Sequence, residues 1–220
     1  MQKFWVIRKQ PYRENSALLT VLADNNRLTR CITRDGIKAS EFQPLFGLLT
    51  LKKDLARLSK IEPAGSRVPF QGTELISALY LNEITNWILP EGAEVERLFD
   101  LYTDSVKDIS LKSFDALRRF ERLLLEAAGT YPSLDIDRSG KQLHDHIYYR
   151  LHQFQDLVEV NSDEVDALHG ADWKALSMGL YSEPVTARHA KWLHRSLVDY
   201  TLGGRRLVSR EMLSEARKSR

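Results

Sequence analysis

Turn signals recur so closely in the first 63 residues that only short extended segments fit between them. Asp24-Asn25-Asn26 and Asp35-Gly36 are residue types that tolerate positive φ. Residues 11–15 (Pro-Tyr-Arg-Glu-Asn) read as a polar turn or loop, and Pro63 stops what precedes it. Between these marks, residues 4–7, 16–23, 27–34, 44–51 and 55–62 read as strands. In the third, Leu28 shares a face with Cys31 and Thr33 only if the strand slips or bulges near Thr29. Arg30, Ile32 and Arg34 take the other face. Five short strands in about 60 residues predict a small barrel rather than an open sheet.

The pattern changes at Pro63-Ala-Gly-Ser-Arg-Val-Pro69, the expected boundary between a domain of residues 1–68 and one of residues 69–220. Helical spacing dominates afterwards. A helix from a Thr73 cap to about residue 87 carries Leu75, Leu79 and Ile84 inside, and another over about 94–106 buries Val95, Leu98, Leu101 and Tyr102. Residues 113–129 hold a complete helix signature: a Ser113 cap, Asp115 in the first turn, and a stripe of Leu117, Phe120, Leu124 and Ala127. Gly129 follows as the left-handed end and Pro132 blocks continuation. Arg118, Arg119 and Arg122 edge that stripe, either as a solvated flank or as a rim that receives an acidic group. For residues 130–160 two readings stand, a small hairpin from Tyr148-Tyr149 and Leu157–Val160 or a short helix near 141–150. Helices are expected from Ser162, over 171–179, and over 186–201 with Ala190, Leu193, Leu197 and Tyr200 inward. Gly203-Gly204 ends the last of these, and a basic helix closes the chain. The class expected is α+β.

A chain of 220 residues can bury a core without disulfide or metal. Its single Cys31 forms no internal disulfide, no apolar run reaches the length of a membrane span, and the N-terminus lacks a signal-peptide layout. Together these predict a cytoplasmic protein with no membrane partner. The formal charge of +2 conceals an asymmetry: +7 over residues 1–70, −9 over 71–204 and +4 over 205–220. The basic front is the natural seat for a polyanion.

Chemistry-bearing motifs are sparse. His144-Asp145-His146 with His152 has the look of a metal cluster but lacks further ligands at a recognisable spacing, so surface or hairpin histidines are the better reading and no metal or cofactor is expected. There is no G-x-S-x-G elbow, Walker loop or dinucleotide fingerprint. Gly203-Gly204 follows a helix rather than opening one. Nothing pairs a nucleophile with a base, so no catalytic residue is assigned and the chain is read as a non-enzyme.

The front domain is more informative. Arg8, Lys9, Arg13, Arg27, Arg30, Arg34, Lys38, Lys52 and Lys53 accompany Trp5, Tyr12, Phe42 and Phe46. Cations that track phosphates, with aromatic faces for bases, are what single-stranded nucleic acid requires. Trp5, Phe42 and Phe46 also suit the barrel core, which leaves Tyr12 as the best candidate for an exposed ring.

Several stretches in order carry a family likeness: Gln10-Pro-Tyr-Arg-Glu-Asn-Ser-Ala-Leu-Leu19, Phe42-Gln-Pro-Leu45, Ala78-Leu-Tyr-Leu-Asn-Glu83, Leu117-Arg-Arg-Phe-Glu-Arg-Leu-Leu-Leu125, and Leu202-Gly-Gly-Arg-Arg-Leu-Val-Ser-Arg-Glu-Met-Leu213. The chain resembles the RecO family of bacterial recombination mediators. The resemblance implies an N-terminal five-stranded OB-fold barrel followed by a helical domain. It implies binding to single- and double-stranded DNA without sequence preference, strand annealing, and help in loading RecA together with RecR. It also implies docking of the acidic tail of the single-stranded-DNA-binding protein (SSB), all in the bacterial cytoplasm at the nucleoid. On that basis the DNA-binding set is Arg8, Lys9, Tyr12, Arg13, Arg27, Arg30, Arg34, Lys38, Lys52 and Lys53, with Arg205, Arg206 and Arg210 from the tail. Arg118 and Arg119, with Leu98 and Leu101 as apolar wall, are expected at the SSB tail. Three departures from the family pattern stand out. The four zinc cysteines of many relatives are missing from the second domain, so no zinc is expected. A basic loop after the third strand is replaced by Thr33-Arg-Asp-Gly-Ile-Lys38, where Asp35 weakens the field. Asn26 stands where a turn glycine is usual. The alternatives are an OB-fold RNA or ribosome factor, a pure protein adaptor, or a nucleic-acid enzyme built on His144, Asp145 and His146.

Overall fold

The computed structural model describes residues 1–14, 16–34, 38–51 and 55–218. Five strands, β1 (Gln2–Tyr12), β2 (Ser16–Ala23), β3 (Leu28–Thr33), β4 (Leu45–Thr50) and β5 (Ala56–Pro63), close into a barrel in the order β1-β2-β3-β5-β4. All neighbours are antiparallel except β3 and β5, which run parallel. This is the OB arrangement, reached because apolar residues alternate inward along each strand. Phe4, Val6, Leu19, Val21, Cys31, Leu45, Leu58 and Ile61 fill the interior, each large side chain worth about 1.5–3 kcal/mol of burial.

Strand β1 runs through Pro11 and Tyr12, which pair with Ala17 and Ser16, so the expected loop shrinks to the turn after Tyr12. The slip expected near Thr29 does not occur. The β2–β3 register is unbroken, and Thr29, Cys31 and Thr33 face inward opposite Val21, Leu19 and Ala17. Leu28 lies on the outer face and is buried there, because its backbone exchanges hydrogen bonds with Gly92 and Ala93. The register shifts fall instead at Val6/Arg8 and at Phe46/Leu48.

The chain forms two compact units, Met1–Phe120 with Arg206–Arg220, and Glu121–Arg205. In the first, α1 (Gly72–Ile88), α2 (Leu98–Ser110), the start of α3 (Asp115–Ala127) and α6 (Val208–Lys218) accompany the barrel. Trp5 explains why. It projects from the outside of the barrel, donates its indole N–H to Thr103 Oγ1 at 2.9 Å and packs on the Tyr102 ring. The barrel therefore has apolar residues on both faces of β1, and helices cover the outer set. Helix α1 starts from Gln71 rather than from a Thr73 cap. It buries Ala78, Leu81, Asn82, Ile84 and Thr85, while Leu75 and Leu79 are only half-buried. Helix α2 starts at Leu98 instead of 94, since Arg97 adopts φ 65° and the Asn26 side chain accepts the Phe99 N–H at 3.0 Å. At the start of α3 the Ala116 N–H bonds to the Asp108 carboxylate.

In the second unit, Leu124 and Leu125 of α3 are buried and Ala127 is exposed. Gly129 takes φ 69°, and the Thr130 N–H reaches back to Leu125 O, a left-handed helix end as expected. Residues 148–159 form a hairpin of β6 (Tyr148–His152) and β7 (Asp156–Glu159), not a helix, and β8 (Leu168–His169) adds a third strand. No helix starts at Ser162. Residues 162–166 are turns. Helix α4 (Gly170–Ser177) leads to α5 (Pro184–Thr201), whose buried line is Ala190, Leu193, Leu197 and Val198. Tyr200 is 48% exposed and stacks on Phe154, so it lies off that line.

Candidate nucleic-acid interface

The outer face of β1–β2–β3 follows from register. Arg8 pairs with Thr20, and Thr20 with Arg30, so the three side chains form one row across three strands. Gln10, Leu18 and Ile32 make the next row. Arg30 is exposed and Arg8 half-buried. The row borders a groove of about 210 Å³ lined by Arg8, Gln10, Thr20, Arg30, Asn86 and Glu91, with Leu28 and Leu89 as its apolar part. Thr20 Oγ1 lies 3.5 Å from Asn86 Oδ1, bringing the last turn of α1 to the strands. The Arg8 guanidinium lies over the Trp87 ring, 5.3 Å from its centroid.

At the barrel end, Tyr12 is 36% exposed and Arg13, at φ 53°, lays its guanidinium over the Tyr12 ring. The expected exposed ring is thus present. Of the other aromatics, Trp5 and Phe42 are buried, but Phe46 is 41% exposed on the outside of β4 and is not core. Lys9 donates to Ala39 O at 3.2 Å. Burial raises the pKa of Glu41, an effect that Lys9 and Arg67 oppose, so part of the Lys9 field goes to a neighbouring carboxylate. Arg27 is exposed, and its backbone pairs with that of Glu94 in an isolated antiparallel β-bridge. Arg34 and Lys38 are exposed, while Asp35, Gly36, Lys52 and Lys53 lie outside the described residues. Asn26 takes φ 62°, the left-handed angle that Asn tolerates at a turn.

The tail cations divide. Arg205 and Arg206 are exposed, and Arg206 approaches Glu211 at 4.0 Å. Arg210 is half-buried over the Tyr80 ring. At the expected SSB-tail site, Arg118 is half-buried and Arg119 exposed. Leu98 has no exposed surface and Leu101 almost none, so both are core and neither presents a wall to a partner. The exposed apolar residues nearest in the chain are Leu111 and Phe114, the latter one helical turn before Arg118. Among the described residues no group of three or more His, Cys, Asp or Glu side chains is placed to hold a metal ion. Asp145 instead pairs with Lys174 at 2.7 Å. Nor, among the described residues, is any helix long and apolar enough to cross a membrane.

On this face the sequence reading named Arg8, Arg30, Tyr12 and Arg13 as candidates and did not name Gln10, Thr20, Asn86, Trp87 or Glu91. The sequence held no clear signal for Trp87: it follows Ile84, an expected inner position, by three residues, and only the observed buried positions 78, 81 and 85 place it off the buried side of α1.

The fold defines a class: an OB barrel whose outer face is extended by helices from the same chain. The chain belongs to the RecO family of DNA repair proteins, since the family described as Recombination protein O C terminal matches residues 69–211. It is 31% identical to the DNA repair protein RecO of Stutzerimonas stutzeri, over 99% of this chain and 95% of that protein. It is 29% identical to the protein of the same name in Nitrosospira multiformis, over 97% and 94%, and in Legionella pneumophila, over 96% of each.

Proposed function

We propose that this protein binds single- and double-stranded DNA without sequence preference and anneals complementary strands. In this reading it assists RecA loading together with RecR, and acts as a mediator rather than an enzyme in the bacterial cytoplasm at the nucleoid. The observation that supports it most is the Arg8–Thr20–Arg30 row. It lies on the barrel face that includes β2 and β3, which OB folds use for oligonucleotides, and it continues toward Tyr12 and Arg13 at the β1–β2 turn. Arg27, Arg34, Lys9 and Lys38, with Arg206 and Arg210, add positive charge within the same unit. Arg205, in the other unit, and Lys52 and Lys53, outside the described residues, belong to the reading by sequence alone. Neutralising phosphates on two strands removes the repulsion that opposes pairing and releases counterions. Arg118 and Arg119 receive the carboxylates of the SSB tail, since guanidinium forks suit them, and Phe114 and Leu111 meet its apolar end.

The test is fluorescence anisotropy of a labelled oligonucleotide at several salt concentrations. The expected result is affinity that falls linearly in log–log terms, with a slope of about −0.7 per phosphate contact for single strands and −0.9 for duplex. No binding at low salt would overturn the reading in favour of an adaptor, and preferential capture by an RNA competitor would favour an RNA-binding role.

A further inference from the structure

We propose that Trp87, at the end of α1 and outside the barrel, is a stacking platform for one unpaired base. Arg8 and Arg30 hold the adjoining phosphates, and the proposal rests on the DNA-binding reading above. The ring is 38% exposed, in contrast to the buried Trp5 and Trp173. It lies beside the cross-strand arginine row because Asn86, its neighbour in α1, meets Thr20 at the centre of that row. Arg8 links the two parts, since it lines the groove and lies over the indole. A guanidinium on an aromatic face keeps its in-plane N–H donors at its edge, where they can bond a phosphate. The groove, at about 210 Å³, is smaller than the roughly 300–1,000 Å³ of drug-sized pockets, and Trp87 is not among its lining residues, so the groove is the seat of the phosphates and the indole that of the base.

The charge pattern sharpens the choice of ligand. Two arginines and one carboxylate, Glu91, line the groove, so its net sign is positive and favours an anion. Gln10 and Asn86 add side chains able both to donate and to accept, without fixing one base. Stacking needs a free base face, which a duplex does not offer. Trp87 therefore makes the interface discriminate single from double strands, a preference that phosphate contacts alone do not supply.

The experiment compares wild type with Trp87→Ala and Trp87→Phe on a labelled oligothymidylate and a labelled duplex at one salt concentration. For Trp87→Ala, the ratio of single- to double-strand affinity should fall by about fivefold or more, as loss of one stacked base implies. Wild-type indole fluorescence should be quenched by the single strand, and Trp87→Phe, which keeps a ring in place, should remove that quench. An unchanged affinity ratio, or a quench that survives in Trp87→Phe, overturns the proposal. If wild type binds neither strand form at low salt, the DNA-binding reading fails with it. If wild type binds but the ratio is unmoved, only the role of Trp87 fails.

Discussion

Gly47 sits where two core side chains meet. A Cβ there would stand 2.7 Å from Phe4 Cε1 and 2.8 Å from Leu58 Cδ1. Both neighbours belong to the closed core, so neither can swing into solvent. Gly47→Ala should cost about 1–3 kcal/mol by overpacking. The check is urea unfolding, with a lower midpoint at an unchanged m-value. Cys31, also in the core, gives a pH-dependent prediction. Burial and then Glu91 push its thiol from the ordinary 9.0 up to about 12. Between those values the unfolded chain has released this proton and the folded chain still holds it. The unfolded state then binds fewer protons, and this group's contribution to stability falls as pH rises from about 9 to 12. Cys31→Ala should flatten that part of the stability profile. At neutral pH the native thiol should resist alkylation and react only on unfolding. Leu28 shows the limit of sequence at this scale. Its burial comes from residues 92 and 93, more than sixty positions away, so period-two alternation alone suggested a bulge that is not there.

Helix ends in this protein are often held by partners from other elements. The Glu83 carboxylate of α1 accepts the Val208 and Ser209 N–H groups at 2.8 and 3.0 Å, and the Ser209 hydroxyl at 2.6 Å. It caps the first turn of α6 with negative charge where the helix dipole favours it. Glu83→Ala should loosen α6 and cost about 0.5–2 kcal/mol. Hydrogen exchange should speed up in residues 208–218 before it does in the barrel. Asn26 does the same for α2, and Asp108 for α3. This explains which boundaries were legible. The Gly129 end of α3 is written in the helix's own residues and was readable. The starts of α1, α2 and α3 were misjudged because sequence pattern points to local Ser, Thr or acidic residues, whereas the observed bonds at α2 and α3 come from Asn26 and Asp108. The barrel strands were legible because turn residues and alternation are local. Helix α5 was also located, though its buried line ends at Val198, not Tyr200. One further contact carries weight in the second unit: His194 Nδ1 lies 3.1 Å from Glu121 Oε2, both buried. Removing this buried hydrogen-bond partner with His194→Leu should cost about 1–3 kcal/mol, read as a drop in Tm.

At the scale of the whole molecule, the asymmetry of charge is the property that sequence states most directly. Its use depends on where the fold puts the cations. Arg8 and Arg30 are 22 positions apart and become neighbours through Thr20, whereas Arg210 is drawn onto Tyr80 and Lys9 faces Glu41. Cations equal in a sequence count are therefore unequally placed to meet a polyanion. Replacing Arg30 with Ala should remove one contact and reduce the salt slope for single strands by about 0.7. Replacing Arg210 should alter the slope less and stability more, because its guanidinium is committed to an aromatic ring. Arg118 provides the complementary test, as it lies on α3 and the Arg8–Arg30 row lies on the barrel. Arg118→Ala should weaken binding of an acidic peptide ending in Phe while the salt slope for DNA stays as in wild type, and Arg30→Ala should do the reverse. Peptide and oligonucleotide titrations on the same two variants decide the matter. Opposite losses mean that strand binding and SSB-tail docking use separate surfaces, while parallel losses in both variants would show one shared polyanion site and remove the basis for tethering and annealing by different faces.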